Sequence, residues 1–339
     1  SSEYIGYAPS VMANDQLTWE TTDQWNVGVD FGFLKNRING TVEFYLQNTK
    51  DLLLKRQLPV VSGFSSVMSN VGSTRNKGIE ITLNTRNIMN RNFTWSTDLT
   101  FSANKEEIVE LYNGKTDDVG NLWFIGQPID VYYNYKKIGI WQNTENDLAE
   151  MAKFNEKGAN FKPGSIRLED VDGDYKITEE DKQILGSVRP KFVASMVNNF
   201  EFKGFDLSVF LYASVGGLLR NNIEFMEKPG RGNTVKVDYW TSTNPTNAFP
   251  RPSVDVEKLD YISTLGYDKA DFLRIRNITL GYTLPEMWSK KVLMDKIRIY
   301  LSANNPAIFT NFTGIDPEGA NGRTAPSYST WMFGINLSM

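Results

Sequence analysis

The spacing with the clearest chemical content is Asp170-Val-Asp-Gly-Asp-Tyr-Lys-Ile-Thr-Glu-Glu-Asp181. Carboxylates at its first, third, fifth and twelfth positions match the loop that wraps a calcium ion in hard oxygen ligands. On that reading Asp170, Asp172 and Asp174 supply side-chain oxygens, Lys176 a backbone carbonyl and Asp181 the closing carboxylate, with Ile177 at the apolar eighth position. Two positions depart from the pattern: Tyr175 stands where glycine is preferred, and Asp181 is shorter than the usual glutamate. An Asx-rich surface turn that needs no ion accounts for the same residues. Either way the loop stabilises and does not catalyse.

Aromatic side chains form the second set. Trp123, Tyr132, Tyr133 and Trp141, near Phe124 and Tyr135, could stack on the apolar faces of a solute, and are taken as candidate ligand contacts. Amphipathic rings also suit membrane and protein interfaces. The chain has no histidine and no cysteine, which closes off Ser-His-Asp, Cys-His and the usual zinc sites. No carboxylate pair stands out in their place, so no enzyme is expected. A net charge of −4, without a basic run, argues against a nucleic-acid partner.

The elements that would carry these residues read as strands. Aromatics make up 13% of the chain, and many recur at every second position, the period of a strand with one apolar face. Trp25, Val27, Val29, Phe31 and Phe33 share one face while Asn26, Gly28, Asp30 and Gly32 share the other. The same alternation recurs over 24–34, 37–48, 76–87, 92–104, 191–202, 205–215, 270–284, 296–304 and 327–339. Each segment suffices for a tilted strand to cross a membrane, which takes about 9–11 residues. A phase slip near Arg276 and Asn277 predicts a β-bulge. Glu43, Glu80, Arg86, Asp98, Arg274 and Arg276 fall on polar faces, where they would meet a plug, a solute path or water.

Connection lengths favour one architecture. Short turns near 34–36, 88–91, 203–204 and 285–295 alternate with long stretches at 49–75, 105–190, 217–269 and 305–326. Outer-membrane barrels join strands by short periplasmic turns and long extracellular loops. The expectation is therefore an all-β, transmembrane antiparallel β-barrel, with residues 1–23 an external segment entering it and 24–339 the C-terminal barrel portion. A secreted, soluble all-β protein with one buried sheet face is the alternative. Nine strands are an odd number, and an unpaired edge facing lipid is costly, so further strands are expected upstream. The sequence opens at Ser1 without a signal peptide, as a processed product or fragment would.

Several strings resemble SusC/RagA-like TonB-dependent transporters. They include Leu17 to Phe31 (LTWETTDQWNVGVDF), Asn70-Val-Gly72, Asn76-Lys-Gly-Ile-Glu80, Phe101 to Val109, Gly126-Gln-Pro128, Gly139-Ile-Trp-Gln142 and Leu273 to Tyr282, in the family's order. The resemblance implies a 22-stranded, plugged barrel in the outer membrane of a Gram-negative bacterium, with these strands as 14 to 22. It also implies a TonB box and plug upstream, and a SusD-like surface lipoprotein over the mouth. The implied activity is TonB-dependent import of a glycan or peptide. The alternative is a SusC-like barrel recruited as a structural subunit of a larger outer-membrane assembly. Ending on Met339 departs from the aromatic terminus common in such barrels.

Overall fold

The structure, a computed structural model, describes residues 12–58, 61, 63–64, 66–221, 237–252, 259–319 and 327–339. Nine long strands pair in sequence order: β1 (Thr21–Phe33), β2 (Ile38–Lys50), β3 (Ser73–Met89), β4 (Phe93–Glu110), β5 (Phe192–Phe202), β6 (Phe205–Val215), β7 (Phe272–Thr283), β8 (Lys296–Thr310) and β9 (Thr330–Ser338). Every pairing between neighbours is antiparallel.

Register shows why the alternation matters. Val29, Val42, Ile81, Phe101, Ala194, Ala213, Leu273 and Phe309 stand side by side across eight strands. A second row runs Trp95, Phe200, Leu207, Leu280, Leu301 and Phe333. The other face carries Asp30, Thr41, Thr82, Thr100, Ser195, Tyr212 and Arg274 in one row. Thr41 donates to Asp30 at 2.7 Å, and the Thr100 and Ser195 hydroxyls lie 2.7 Å apart. A one-residue slip would exchange these faces everywhere, so the pattern pins the register.

The apolar face is exposed, not packed on a second layer: Trp25, Val27, Phe33, Phe333 and Leu337 are each 59% exposed or more. Water cannot be the intended solvent for such a surface, whereas hydrocarbon can. No described helix is long and apolar enough to cross a membrane, which leaves crossing by strands untouched.

Strand boundaries depart from the sequence reading mostly on the long-loop side. β1 begins at Thr21, inside the stretch expected to be loop. β3, β4 and β8 extend to Ser73, Glu110 and Thr310, beyond the expected 76, 104 and 304. Backbone pairing needs no apolar face once the sheet has left the membrane. There, polar contacts such as Arg75 to Asn48 at 3.0 Å hold the strands together. The bulge lies where expected: the register of β7 shifts between Ile275 and Asn277 against β8, and opposite Phe210 and Leu211 of β6.

The long connections are folded. Leu53–Gln57 and Ser66–Asn70 form a hairpin within 49–75, and Asn70 ties it to the entering segment by accepting from Thr18 N–H at 2.7 Å. The 105–190 stretch contains helix α1 (Glu145–Glu156) and short strands, and Leu218–Arg220 pairs with Tyr267–Lys269 inside 217–269. Parts of the entering segment and of the 49–75, 217–269 and 305–326 connections lie outside the described residues.

Candidate functional site in the long-loop unit

The connections β4–β5 and β6–β7 build one packed unit. Ile140, Ile166 and Leu168 from the first cluster with Trp240, Ile262 and Leu265 from the second. Beside them Trp141, Met151, Phe154 and Phe161 form an aromatic core. Helix α1 starts at Thr144, whose hydroxyl accepts from Asp147 N–H, and carries Glu145 and Asp147 in its first turn, where the helix dipole favours negative charge. Met151 and Phe154, three residues apart, share its buried face.

Polar side chains lock the two connections together. Gln142 accepts from the Trp240 indole N–H at 2.8 Å and donates to Ile140 O at 2.7 Å. Lys137 Nζ donates to Asn247 O and Ala248 O, both at 2.7 Å, and burial lowers its pKa. Gly164 sits at φ +89, and a Cβ there would lie 2.6 Å from Trp240 and 2.7 Å from Arg251. Only glycine lets the chains approach so closely. Tyr135 is pushed up to about 12 by burial first and then by Glu179, while the hydrogen bond from Lys182 holds Glu179 below the ordinary carboxylate range.

The aromatic candidates are drawn into this packing. Trp141 is 1% exposed, with the Arg167 guanidinium 4.3 Å above its ring, so it is a core residue and is withdrawn from solute contact. Its two flanking residues, Ile140 and Gln142, are likewise engaged with the second connection, which no local spacing announces. Tyr132 packs edge-on against Tyr267 at 5.2 Å, and Tyr133 lies 4.8 Å from Phe124. Trp123 is half-buried in a bridge with Asp118. A cavity of about 610 Å³ lies elsewhere in the unit, against Phe161, Lys162, Arg251, Asp260 and Tyr261. None of the four candidates lines it.

In the acidic loop, Asp170, Asp172 and Asp174 bring carboxylate oxygens within 4.8 Å of one another. Tyr175 adopts φ +63, the conformation glycine would have supplied, and Gly173 is at φ +75. Asp170 accepts from Tyr175 N–H at 2.9 Å, and Asp174 from Lys176 N–H at 2.7 Å. Asp181 is not part of that group. It is 1% exposed and accepts from Val171 N–H at 2.8 Å and Thr178 N–H at 2.7 Å. The twelfth position therefore closes the loop by capping backbone donors, and the fourfold convergence expected from the sequence becomes threefold. Three carboxylates at a tight turn suit a hard cation, and each also satisfies a neighbouring backbone N–H as an Asx turn does.

Arg274 and Arg276, expected to meet a plug, solute or water, bind this chain's own β8–β9 connection. Arg274 is 3% exposed and donates to Asp316 at 2.7 Å; both arginines reach Glu318. Arg274 stands in the regular register of the polar face and Arg276 is the extra residue of the bulge, yet both guanidiniums reach the same segment. Asp316 is pushed up by burial, yet Ser327, the Glu318 N–H and Arg274 outweigh this and lower it.

A nine-stranded antiparallel sheet with an apolar outer face, tight turns at one end and folded connections at the other defines part of a transmembrane β-barrel. Residues 2–306 match the family described as TonB dependent receptor-like, beta-barrel, and the chain belongs to that family of the Gram-negative outer membrane. It is 32% identical to TonB-dependent receptor P3 of Formosa agariphila, across 96% of this chain and 35% of that protein. It is 30% identical to TonB-dependent receptor SusC of Bacteroides thetaiotaomicron, across 96% and 32%. The chain thus spans about a third of the length of these curated relatives. Among solved structures it resembles the RagAB peptide transporter, with a TM-score of 0.75 and 25% identity over 96% of this chain and 36% of that one. The RagAB importer in its open-open state gives 0.76 and 26%, over 97% and 36%. These relatives are named as receptors and transporters.

Proposed function

We propose that this chain forms the last nine strands, 14 to 22, of a 22-stranded barrel that imports a glycan or peptide in a TonB-dependent manner. A TonB box and plug supplied by the same protein upstream would couple the inner-membrane proton-motive force to opening. A SusD-like surface lipoprotein would cover the end bearing the long connections, which we take as extracellular. The observation that carries this reading is the joint packing of the β4–β5 and β6–β7 connections. A unit with its own aromatic core, held by Gln142–Trp240 and Lys137–Asn247, is a stable platform for a partner. Likeness to a peptide importer supports the solute class.

The test uses cells carrying the full-length protein. Uptake of labelled peptides and oligosaccharides is measured with and without a protonophore, and the lipoprotein is sought by crosslinking through the long-loop unit. Energy-dependent uptake together with crosslinks from the 105–190 stretch is the expected result. Crosslinks from the short-turn end would overturn the orientation, and uptake indifferent to the protonophore would overturn active import.

A further inference from the structure

The cavity of about 610 Å³ in the long-loop unit has walls from both connections. Residues between 158 and 166 of the β4–β5 connection form one part, and 250–251 with 259–261 of the β6–β7 connection the other. Its volume falls within the roughly 300–1,000 Å³ of small-molecule sites, and Phe161, Pro250, Leu259 and Tyr261 give it apolar walls. Its charged lining residues are Lys162, Arg251 and Asp260. Among the described residues none of these three forms an ion pair, and no side-chain hydrogen bond holds any of them. The contacts of Gln142, Lys137 and Asn247 that lock the unit use other groups.

The backbone around the cavity is held in place. Ser165 N–H donates to Lys162 O at 2.8 Å, Lys162 N–H donates to the Ser165 hydroxyl at 3.1 Å, and Gly164 takes φ +89. Proline and then glycine at the two central positions, 163 and 164, suit a type II turn. Arg251 N–H donates to Gly164 O at 2.9 Å, and the Arg251 stem lies so close that a Cβ on Gly164 would come within 2.7 Å of it. The two cations are thus carried on one joined backbone, Arg251 half-buried and Lys162 exposed. Tyr261 holds φ +58, a conformation that bulky side chains rarely adopt and that recurs at ligand clamps. Its carbonyl accepts from the Thr264 N–H at 2.9 Å and the Thr264 hydroxyl at 2.7 Å, and Thr264 is buried.

Two cations lining one small cavity repel one another unless an anion joins them. An arginine fork matches the two oxygens of a carboxylate, and a lysine adds a point charge beside it. We propose that this cavity binds a carboxylate-bearing solute, with the carboxylate on Arg251 and Lys162 and an apolar side chain or ring face against Tyr261, Leu259 and Pro250. Asp260 then receives an N–H or hydroxyl of the same solute. A peptide C-terminus and a uronic acid both carry this chemistry. The inference rests on the import reading above and deepens it, because it gives the long-loop unit a capture site for the solute's anionic end.

The experiment uses the purified full-length protein with N-acetyl-Ala-Ala-Phe, its C-terminal amide and trigalacturonate as probes. Binding is read by calorimetry. Local occupancy is read by acetylating Lys162 with an amine-reactive ester, quantified by mass spectrometry against the neighbouring exposed Lys157. A carboxylate probe should shield Lys162 and leave Lys157 unchanged, and the amide should shield neither. Arg251→Gln and Lys162→Gln should each weaken binding by about 10–100-fold, the loss of one charge-assisted contact. Because the Arg251 stem packs on Gly164, the fold of its variant is checked by protease resistance of the 105–190 stretch. Lys162 holds its turn by backbone bonds alone, so its variant keeps the fold. Shielding by the peptide supports the site with a peptide terminus as the source, and shielding by trigalacturonate supports it with a sugar acid. Equal shielding by amide and acid, no shielding by either carboxylate probe, or unchanged binding in both folded variants overturns the proposal. Energised uptake with Lys162 left unshielded would sink the capture site alone, whereas a shielded Lys162 with uptake indifferent to a protonophore would sink the import reading alone.

Discussion

Replacing Asp316 with alanine should release the β8–β9 connection without melting the barrel. Asp316 and Arg274 are 7% and 4% exposed at their side chains. Breaking a buried pair from one side costs about 3–5 kcal/mol, because the remaining charge keeps its desolvation without its partner. Some of that is recovered here, since Arg274 Nε still lies 3.2 Å from Glu318. Against this, Ser327 loses an acceptor for its hydroxyl at 2.6 Å, and Glu318 N–H loses one at 3.0 Å, each worth about 1 kcal/mol. A net loss near 3 kcal/mol corresponds to roughly a hundredfold rise in local opening. Hydrogen exchange read on peptides covering Phe312–Gly319 should accelerate by that factor. The pairing of β7 with β6 and β8 is backbone hydrogen bonding that Asp316 does not touch, so heat-modifiable migration should stay as in the wild type. Exchange within about threefold of wild type would refute the reasoning, because a clamp worth 3 kcal/mol cannot be lost so quietly. Loss of barrel migration would equally refute its local character.

Four further outcomes follow from the same geometry. Ile81→Lys, on the lipid-facing row, should destabilise the barrel by about 2–4 kcal/mol, whereas Glu80→Lys, one residue away on the opposite face, should have little effect; folding yield in lipid vesicles separates them. Trp141→Ala should cost the long-loop unit about 3–5 kcal/mol, seen as protease sensitivity of the 105–190 stretch with the barrel intact. We expect calcium to bind through Asp170, Asp172 and Asp174, so that chelation or Asp172→Asn loosens the loop to proteases and leaves the barrel folded; terbium luminescence that survives Asp172→Asn would count against it. The Tyr135 phenol titrates near about 12 against an ordinary 10.0, so its stabilising effect is complete below pH 10 and fades as pH rises toward 12. Tyr135→Phe should therefore remove the most alkaline step from the tyrosinate absorbance titration.

The sequence alone determined the nine strands, their order, their faces and the bulge at Arg276. Each of these depends on a period of two and on the distinction between apolar and polar side chains, and both are local. It equally indicated the acidic turn, whose residues lie within twelve positions of one another. Tertiary structure decided what distant residues do to each other. Gln142 and Trp240 are about a hundred positions apart, and nothing near either predicts their hydrogen bond at 2.8 Å. Trp141 reads as a ligand-stacking aromatic until Met151, Phe154 and Phe161 close around it. Asp181 reads as a metal ligand until the backbone donors of Val171 and Thr178 claim both its oxygens. Arg274 reads as a lumen cation free to meet a plug or solute until Asp316, from the β8–β9 connection, pairs with it. In each case side-chain type was visible in the sequence, but burial and partner were not. Those are set by which long-range segments meet, and a one-dimensional pattern carries no term for that.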